Sequence, residues 1–261
     1  MAKYALAIGI NNYPGTANDL SGCVNDANDW HKELTKRGFT TQLLLDQKAT
    51  KAAMVSNMVS TLEKAVTGDI VVITYSGHGT WEPDTDDEEP DGRDEALCPH
   101  DLASKGPLLD DELYEIFSSC ARGVRLIFIS DSCHSGTVAK LAPSRSERKV
   151  RFMPLEEFEK DKKKLSQARK VESTPSRGKP RNSALLLSGS KDNEFSYDAS
   201  FEGRPNGAFT RAALDALREL PEGATYSQWH KAIRRSLPSM DYPQTPQLGA
   251  TRTQKTWKVL G

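Results

Sequence analysis

Two short segments of this 261-residue chain hold residues suited to nucleophilic chemistry. The first reads YSGHG and contains His78, and the second reads DSCHSG and contains Cys133, 55 residues later. A thiolate attacks a carbonyl carbon, and a nearby imidazole takes up the thiol proton and returns it to the leaving amine. If the two segments meet in the fold, the sequence predicts a cysteine–histidine dyad.

The glycines beside the histidine extend this prediction. Gly77 and Gly79 leave room for a substrate backbone next to His78. Gly79 offers a bare N–H, and together with the N–H of Cys133 it forms a predicted pair of donors to a developing oxyanion. One such donor contributes roughly 3 kcal/mol.

Other interpretations of these residue types stay open. His134 adjoins Cys133, but neighbouring side chains of an extended segment point to opposite faces, so His78 is the better candidate base. A single cysteine is usually a small buried hydrophobic residue, and a single histidine is usually an ordinary hydrogen-bonded one. We interpret six residues in this way: Cys23, Cys98, Cys120, His31, His100 and His230.

Both segments follow predicted buried strands. Near-continuous apolar runs are typical of strands covered on both faces. They occur at Tyr4–Ile10, Thr40–Leu45, Asp69–Tyr75, Val124–Ser130, Ala184–Ser188 and Thr256–Leu260. In open parallel sheets, reactive groups collect beyond the carboxyl ends of the strands, which is where His78 and Cys133 lie.

Helical patterns alternate with these strands. They cover Asn25–Arg37, the stretch from Thr50 to Gly68, the stripe from Leu113 to Cys120, Asn206–Leu220 and Thr225–Leu237. Such alternation predicts an α/β fold, with a mostly parallel central sheet and helices on both faces.

Two charged stretches interrupt the pattern. Glu82–Glu95 holds nine carboxylates against one Arg93, and Lys140–Arg181 holds fourteen Lys or Arg against six Asp or Glu. Charge runs of this kind are usually solvated loops.

Composition excludes several classes of protein. The net charge is −1, so the chain lacks the basic excess of a dedicated nucleic-acid binder. No apolar run approaches the length of a membrane span, and we see no signal peptide. Four cysteines without a CxxC pair argue against a zinc cluster or a disulfide scaffold. We therefore expect a cytoplasmic protein in a reducing compartment.

The motifs resemble those of caspase-like cysteine peptidases, and within them the metacaspases, whose bacterial members are sometimes called orthocaspases. YSGHG and DSCHSG resemble the two catalytic blocks of that family. The similarity extends to YALAIGINNYPG, LSGCVNDA, DEALCP, LLDDEL, SALLLSGSKDNEFSYDA and GRPNGAFTRAALDAL. It implies a caspase-like three-layer sandwich and a monomer. Residues 1–261 would form one domain, with a large-subunit region (1–140), a basic linker (141–182) and a small-subunit region (183–261).

The resemblance also implies roles for individual residues. His78 would be the general base and acid, Cys133 the nucleophile, and Asp26, Ser76 and Asp131 would line the pocket for the residue before the scissile bond. Two carboxylates in a concave site favour Arg or Lys, so we expect protein or peptide substrates with either residue at that position. Taken alone, Asp26 is also a plausible helix cap.

Many relatives require calcium, and the resemblance implies Asp94, Asp110 and Asp111 as oxygen ligands for Ca2+. A fourth aspartate of the family pattern is missing here, because Thr137–Lys140 contains no carboxylate. Asp110 and Asp111 also suit the first turn of a helix, where the helix dipole favours negative charge.

The basic linker gains a second interpretation from the resemblance, since the family is often cut there. We expect self-cleavage after one of five residues: Lys163, Lys164, Arg169, Lys170 or Arg177.

Three rival functions have less support. A catalytically silent scaffold or binding module is disfavoured by the intact dyad. Nucleotide binding near Asn11–Gly15 lacks a GxGxxG or Walker pattern. Nucleic-acid binding by the basic linker would need aromatic residues among the charges, and only Phe152 and Phe158 occur there.

Overall fold

The structure is a computed structural model, and it describes residues 1–83, 93–133, 148–154 and 184–261. The strands of these residues are β1 (Lys3–Gly9), β2 (Thr40–Leu45), β3 (Ile70–Ser76), β4 (Gly79–Pro83), β5 (Arg93–Leu97), β6 (Leu108–Leu109), β7 (Arg125–Asp131), β8 (Lys149–Val150), β9 (Leu185–Ser188), β10 (Tyr197–Phe201), β11 (Arg204–Gly207) and β12 (Gln247–Gly249). The helices are α1 (Cys23–Lys36), α2 (Lys51–Glu63), α3 (Leu102–Lys105), α4 (Asp110–Ser118), α5 (Ala208–Glu219), α6 (Tyr226–Ile233) and α7 (Arg252–Lys255).

A six-stranded sheet forms the centre, in the order β12-β9-β7-β3-β1-β2. All of its neighbouring strands are parallel except β12, which runs antiparallel to β9. Two smaller sheets of three strands, β11-β10-β8 and β4-β5-β6, lie beside it. The mostly parallel α/β sheet predicted from the apolar runs is confirmed.

Helices cover both faces of the central sheet because its strands alternate between two apolar clusters. Along β1, Leu6 and Ile8 join the cluster that includes residues of α2 and α4. Ala5 and Ala7 join the cluster that includes residues of α1, α5 and α6. Burial of both faces is the main stabilising contribution to such a sandwich. The chain therefore has the predicted three-layer sandwich of helices, sheet and helices.

One predicted strand is wrong. Thr256–Leu260 is a turn segment after α7, in which only Lys258 forms an isolated bridge, with Thr225. Its apolar residues pack against the cluster of α5 and α6, so burial rather than sheet pairing explains them. The other five predicted strands lie within one or two residues of those observed. None of the helices described here is both long and apolar enough to cross a membrane.

Candidate active site

The two predicted catalytic segments meet at the carboxyl edge of the central sheet. β3 and β7 are neighbours, and their last residues, Ser76 and Asp131, pair directly. The segments that follow converge on one acceptor: the N–H of Gly79 and the N–H of Cys133 donate to the carbonyl oxygen of Arg151, at 2.9 and 3.3 Å. The loops after β3 and β7 are therefore close enough for one carbonyl oxygen to accept hydrogen bonds from both.

His78 is held on both its backbone and its ring. Its N–H donates to the hydroxyl of Tyr13 at 2.8 Å, and the two rings lie 4.8 Å apart. Its Nε2 lies 2.5 Å from the carbonyl oxygen of Asn18. A carbonyl only accepts, so Nε2 carries the proton of the neutral ring and Nδ1 holds the lone pair. Nδ1 is buried and has no hydrogen-bond partner among the residues described.

The thiol of Cys133 is also buried. Its only hydrogen bond within the described ranges is a long one, from Sγ to the carbonyl oxygen of Ser196 at 4.0 Å. Burial raises the pKa of Cys133 to about 12. Burial lowers the pKa of His78 to about 4. Thiol and imidazole are therefore both neutral in this closed arrangement.

A pocket of carboxylates encloses the side chain of Arg151, which is fully buried. One guanidinium nitrogen, Nη2, lies 2.7 Å from Asp26 and 2.9 Å from Asp198. The other, Nη1, lies 3.1 Å from Asp131 and donates to the hydroxyl of Ser76 at 2.7 Å. Three carboxylates and a hydroxyl thus bind one cation.

Backbone and side-chain donors of the small-subunit region fix these carboxylates. Asp26 accepts hydrogen bonds from the N–H of Gly207 and from the amide of Asn206, both at 2.9 Å. Asp131 accepts from Thr210, by its N–H at 2.9 Å and its hydroxyl at 2.7 Å. Burial raises the pKa of Asp26, and Arg151 acts in the opposite direction. The pocket is a preorganised anion cluster that a cation completes.

Comparison with known proteins gives the family. The model of the caspase domain family matches residues 2–257. Metacaspase-1 of Ajellomyces capsulatus is 31% identical over an alignment that covers 97% of this chain and 81% of that protein. For metacaspase-1 of Saccharomyces cerevisiae, strain YJM789, the identity is also 31%, over 95% of this chain. The chain belongs to the metacaspases. It spans 66% of the length of the yeast relative, and its family is one of cysteine peptidases.

Two solved structures have a fold similar to that of this chain. Protein GSU0716 from Geobacter sulfurreducens superimposes with a TM-score of 0.81 and 32% identity, over 100% of this chain and 98% of that one. Caspase-1 from Spodoptera frugiperda gives a TM-score of 0.58 at 12% identity, over 95% of this chain and 86% of that one, which shows a shared fold.

The structure brings the three predicted pocket residues of this metacaspase together. Asp26, Ser76 and Asp131 all contact the guanidinium of Arg151. Asp26 does not cap α1, because it lies inside that helix and its carboxylate faces Gly207. The assignment of roles to these residues remains a prediction.

Asp198, Arg151 and Ser196 are among the residues of the site that the sequence analysis missed. Asp198 is the second residue of β10 and lies within SYDA, a motif that the sequence analysis noted without assigning this acid a role. Arg151 was one of the fourteen Lys and Arg residues of Lys140–Arg181. Ser196 takes part through its carbonyl oxygen, which accepts from the N–H of Arg151, and through its hydroxyl, which donates to Asp131. No spacing rule connects any of them to Cys133.

The residues proposed for calcium lie on or next to two paired strands, β5 and β6. Ala96 of β5 pairs with Leu109 of β6. Asp94 precedes Ala96 by two residues, and Asp110 and Asp111 directly follow Leu109 as the first residues of α4. Within the described ranges, no group of three or more His, Cys, Asp or Glu side chains is arranged to hold a metal ion. Calcium binding stays a prediction.

Several predicted residues lie outside the described part of the chain. They are His134 and the five expected cleavage residues of the linker, Lys163, Lys164, Arg169, Lys170 and Arg177.

Proposed function

We propose that this metacaspase is a cysteine endopeptidase that cleaves peptide bonds after Arg or Lys. Cys133 is the nucleophile, and His78 is the general base and acid. The observation that supports this most directly is a buried pocket of three carboxylates beside two N–H donors that converge on one carbonyl oxygen.

His78 accepts the thiol proton at Nδ1. The bond from Nε2 to Asn18 holds the ring in the tautomer whose Nδ1 lone pair is available. The thiol then turns from the carbonyl of Ser196 towards Nδ1, and its proton passes to the ring as the sulfur attacks the carbonyl carbon.

The N–H groups of Gly79 and Cys133 stabilise the oxyanion. They already bind a carbonyl oxygen of the chain, so the same position suits the carbonyl of a substrate. As charge develops on that oxygen, both hydrogen bonds strengthen, which lowers the barrier. The leaving amine takes the proton from His78, and water hydrolyses the thioester.

The pocket favours Arg over Lys and both over Asp. A planar guanidinium reaches carboxylates on two sides through separate nitrogens, as Arg151 does, whereas an ammonium has one nitrogen. An aspartate side chain would face three carboxylates without a cation, and like charges repel in a buried site. Self-cleavage within the basic linker follows from this preference, because that stretch offers many Arg and Lys residues.

The test is a panel of fluorogenic peptides that differ only in having Arg, Lys, Gln or Asp before the scissile bond. The full chain is incubated until its intact mass no longer changes, and hydrolysis is measured with calcium and with a chelator. We expect Arg to exceed Lys, Gln and Asp to be inert, and Cys133→Ala to remove all turnover.

Each alternative gives a different result. Preference for Asp would contradict the pocket assignment. No hydrolysis by the unmodified chain in either buffer would favour the silent scaffold. Equal rates of hydrolysis with calcium and with chelator would contradict the calcium prediction but not the prediction of a Cys133–His78 dyad.

A further inference from the structure

The segment Arg148–Pro154 of the linker runs through the candidate active site, with the short strand β8 at its start and an isolated bridge at Phe152. On its first side, Val150 pairs with Tyr197 and Lys149 with Asp198, antiparallel to β10. On its second side, Phe152 bridges to Gly79 in parallel, and the N–H of Met153 donates to the carbonyl of Gly79 at 2.9 Å. Addition of a strand to a sheet edge is a common mode of peptide recognition.

Arg151 is the residue of this segment that lies next to Cys133. Its side chain fills the carboxylate pocket, and its carbonyl oxygen accepts from Gly79 and Cys133. Its N–H donates to the carbonyl of Ser196 at 2.9 Å, the same oxygen that the Cys133 thiol faces. The thiol therefore lies beside the peptide group of Arg151.

The residues after Arg151 are bound as well. Phe152 is buried in an apolar cluster with Cys133 and Phe195, against which Trp81 and Tyr197 also pack. Met153 is fully buried, and its carbonyl accepts from the hydroxyl of Thr80 at 2.8 Å. Contacts on both sides of one peptide bond hold that bond in register with the thiol.

A purely structural ion pair does not require this arrangement. A buried arginine is satisfied by its side-chain partners alone. Here the side chain, the carbonyl oxygen and the N–H of Arg151 each contact a different part of the candidate site. The residues before and after Arg151 are also bound, on either side of Cys133. That combination is the geometry of a substrate.

We infer that the peptide bond between Arg151 and Phe152 is the bond that the enzyme cuts in its own chain, within the same molecule. The inference rests on the proposed function. The sulfur of Cys133 bonds to the carbonyl carbon of Arg151, and the bond to the nitrogen of Phe152 breaks. That nitrogen leaves as an amine with the proton from His78. Water then hydrolyses the thioester, which gives the carboxylate of Arg151 and restores the thiol.

The same segment closes the site to other substrates until it is cut and leaves. Arg151 occupies the pocket, and its carbonyl oxygen occupies the two N–H donors. An external peptide needs both positions. Cleavage of the chain therefore precedes cleavage of other substrates.

The experiment is intact-mass spectrometry and N-terminal sequencing of the purified full chain. We expect fragments 1–151 and 152–261, the second beginning FMPLE. Cys133→Ala is expected to stay whole, and Arg151→Gln to lose the cut at this position. Arg218→Gln removes the charge of a half-exposed arginine on α5 that pairs with Asp215, away from the segment and the pocket, and should leave the cut in place. Arg151→Lys keeps the buried charge and is expected to be cut at the same bond more slowly.

A mixing experiment tests whether the step occurs within one molecule. Processed wild-type enzyme is added to the Cys133→Ala chain, in which the segment still occupies its own cleft. We expect the Arg151–Phe152 bond of that chain to survive, while a free peptide of residues 148–154 is cut. Rapid cleavage of the Cys133→Ala chain at this bond would contradict the inference.

Two further outcomes overturn it and separate it from the proposed function. If Arg peptides are hydrolysed but the chain stays whole, or is cut only at another residue such as Lys163, the bond assignment alone fails. If neither the chain nor any Arg peptide is cut, the proposed function fails and the inference with it.

Discussion

The guanidinium of Arg151 lies 2.7 Å from the carboxylate of Asp26, and both side chains are fully buried. Burial opposes charge on either partner, so the pair persists because each neutralises the other and hydrogen bonds satisfy most of the remaining polar atoms. Asp26 meets that condition through Gly207, Asn206 and Ser76. The exception on Arg151 is Nε, which has no hydrogen-bond partner among the described residues. An empty pocket would leave three carboxylates close together, and this is the physical origin of the expected affinity for cationic side chains.

Asp198→Asn is expected to lower kcat/KM for Arg peptides about tenfold to a hundredfold, because a hydrogen bond to a charged group contributes about 1.5–3 kcal/mol. The matched control is Asp215→Asn, which removes an exposed carboxylate that pairs with Arg211 on α5. Rates are measured with the fluorogenic Arg peptide after the mass of each chain is constant. Equal loss in both variants would contradict a specific role for Asp198.

Gly207→Ala is expected to reduce turnover of Arg peptides about tenfold to a hundredfold by obstructing the pocket. A methyl group at this position would lie 2.6 Å from Nη1 of Arg151 and would also contact Asp131. Overpacking of that kind costs about 1–3 kcal/mol. Gly249→Ala serves as the control, since its methyl group would meet Leu186 at an ordinary 3.4 Å. A Gly207→Ala enzyme with normal kcat/KM would show that the pocket is wider than described.

Alkylation of Cys133 is expected to be slow while Arg151 stays in its pocket. Burial raises the pKa of Cys133 to about 12, so little thiolate exists and the sulfur is covered. The comparison uses His78→Gln, which is not cut, and the double variant His78→Gln with Arg151→Gln, in which the segment loses its anchor. We expect iodoacetamide to modify Cys133 at least about tenfold faster in the double variant.

Peptide mapping of the alkylated chains supplies the internal control. Cys98 is fully buried in the core, and its rate should be the same in both variants. Equal rates at Cys133 would mean that Arg151 does not hold the segment over the thiol.

Acid is expected to destabilise the closed chain through His78. Burial lowers its pKa from 6.5 to about 4, so between these values the unfolded chain binds a proton that the folded chain does not. The free energy of unfolding is unaffected by His78 above pH 6.5 and falls as the pH drops below that value. The loss caused by His78 reaches about 3 kcal/mol near pH 4. Urea unfolding of Cys133→Ala between pH 7 and 4 measures it.

The matched comparison adds His78→Gln to the Cys133→Ala background. Its free energy of unfolding should fall less steeply over the same range, because the titrating ring is absent. Parallel curves for the two chains would show that His78 does not titrate with a depressed pKa. Asp26, whose pKa is raised by burial, acts with the opposite sign in both chains and cancels from the comparison.

The fold was largely predictable because its strands are apolar on both faces. DIVVITY and VRLIFIS admit few interpretations other than buried strands, and the segments that contain His78 and Cys133 follow their carboxyl ends. Thr256–Leu260 has the same apolar character but ends in a turn, because apolar composition reports burial and not sheet pairing.

The occupant of the pocket was beyond sequence reasoning. Arg151 lies 125 residues from Asp26 and 47 from Asp198 along the chain. Its neighbourhood is charged and poor in apolar residues, which is typical of a solvated loop. Only the folded structure shows that this cation is enclosed by carboxylates.

The carboxylate pocket is built from both sides of the linker. Asp26, Ser76 and Asp131 precede it, whereas Asp198, Asn206, Gly207 and Thr210 follow it. β7 and β9 join the two sides as adjacent parallel strands. Neither product of the proposed cut would therefore possess a complete recognition surface, and a cut enzyme would discriminate arginine only as a pair of its own two fragments. Dilution that separated those halves would erase selectivity together with turnover.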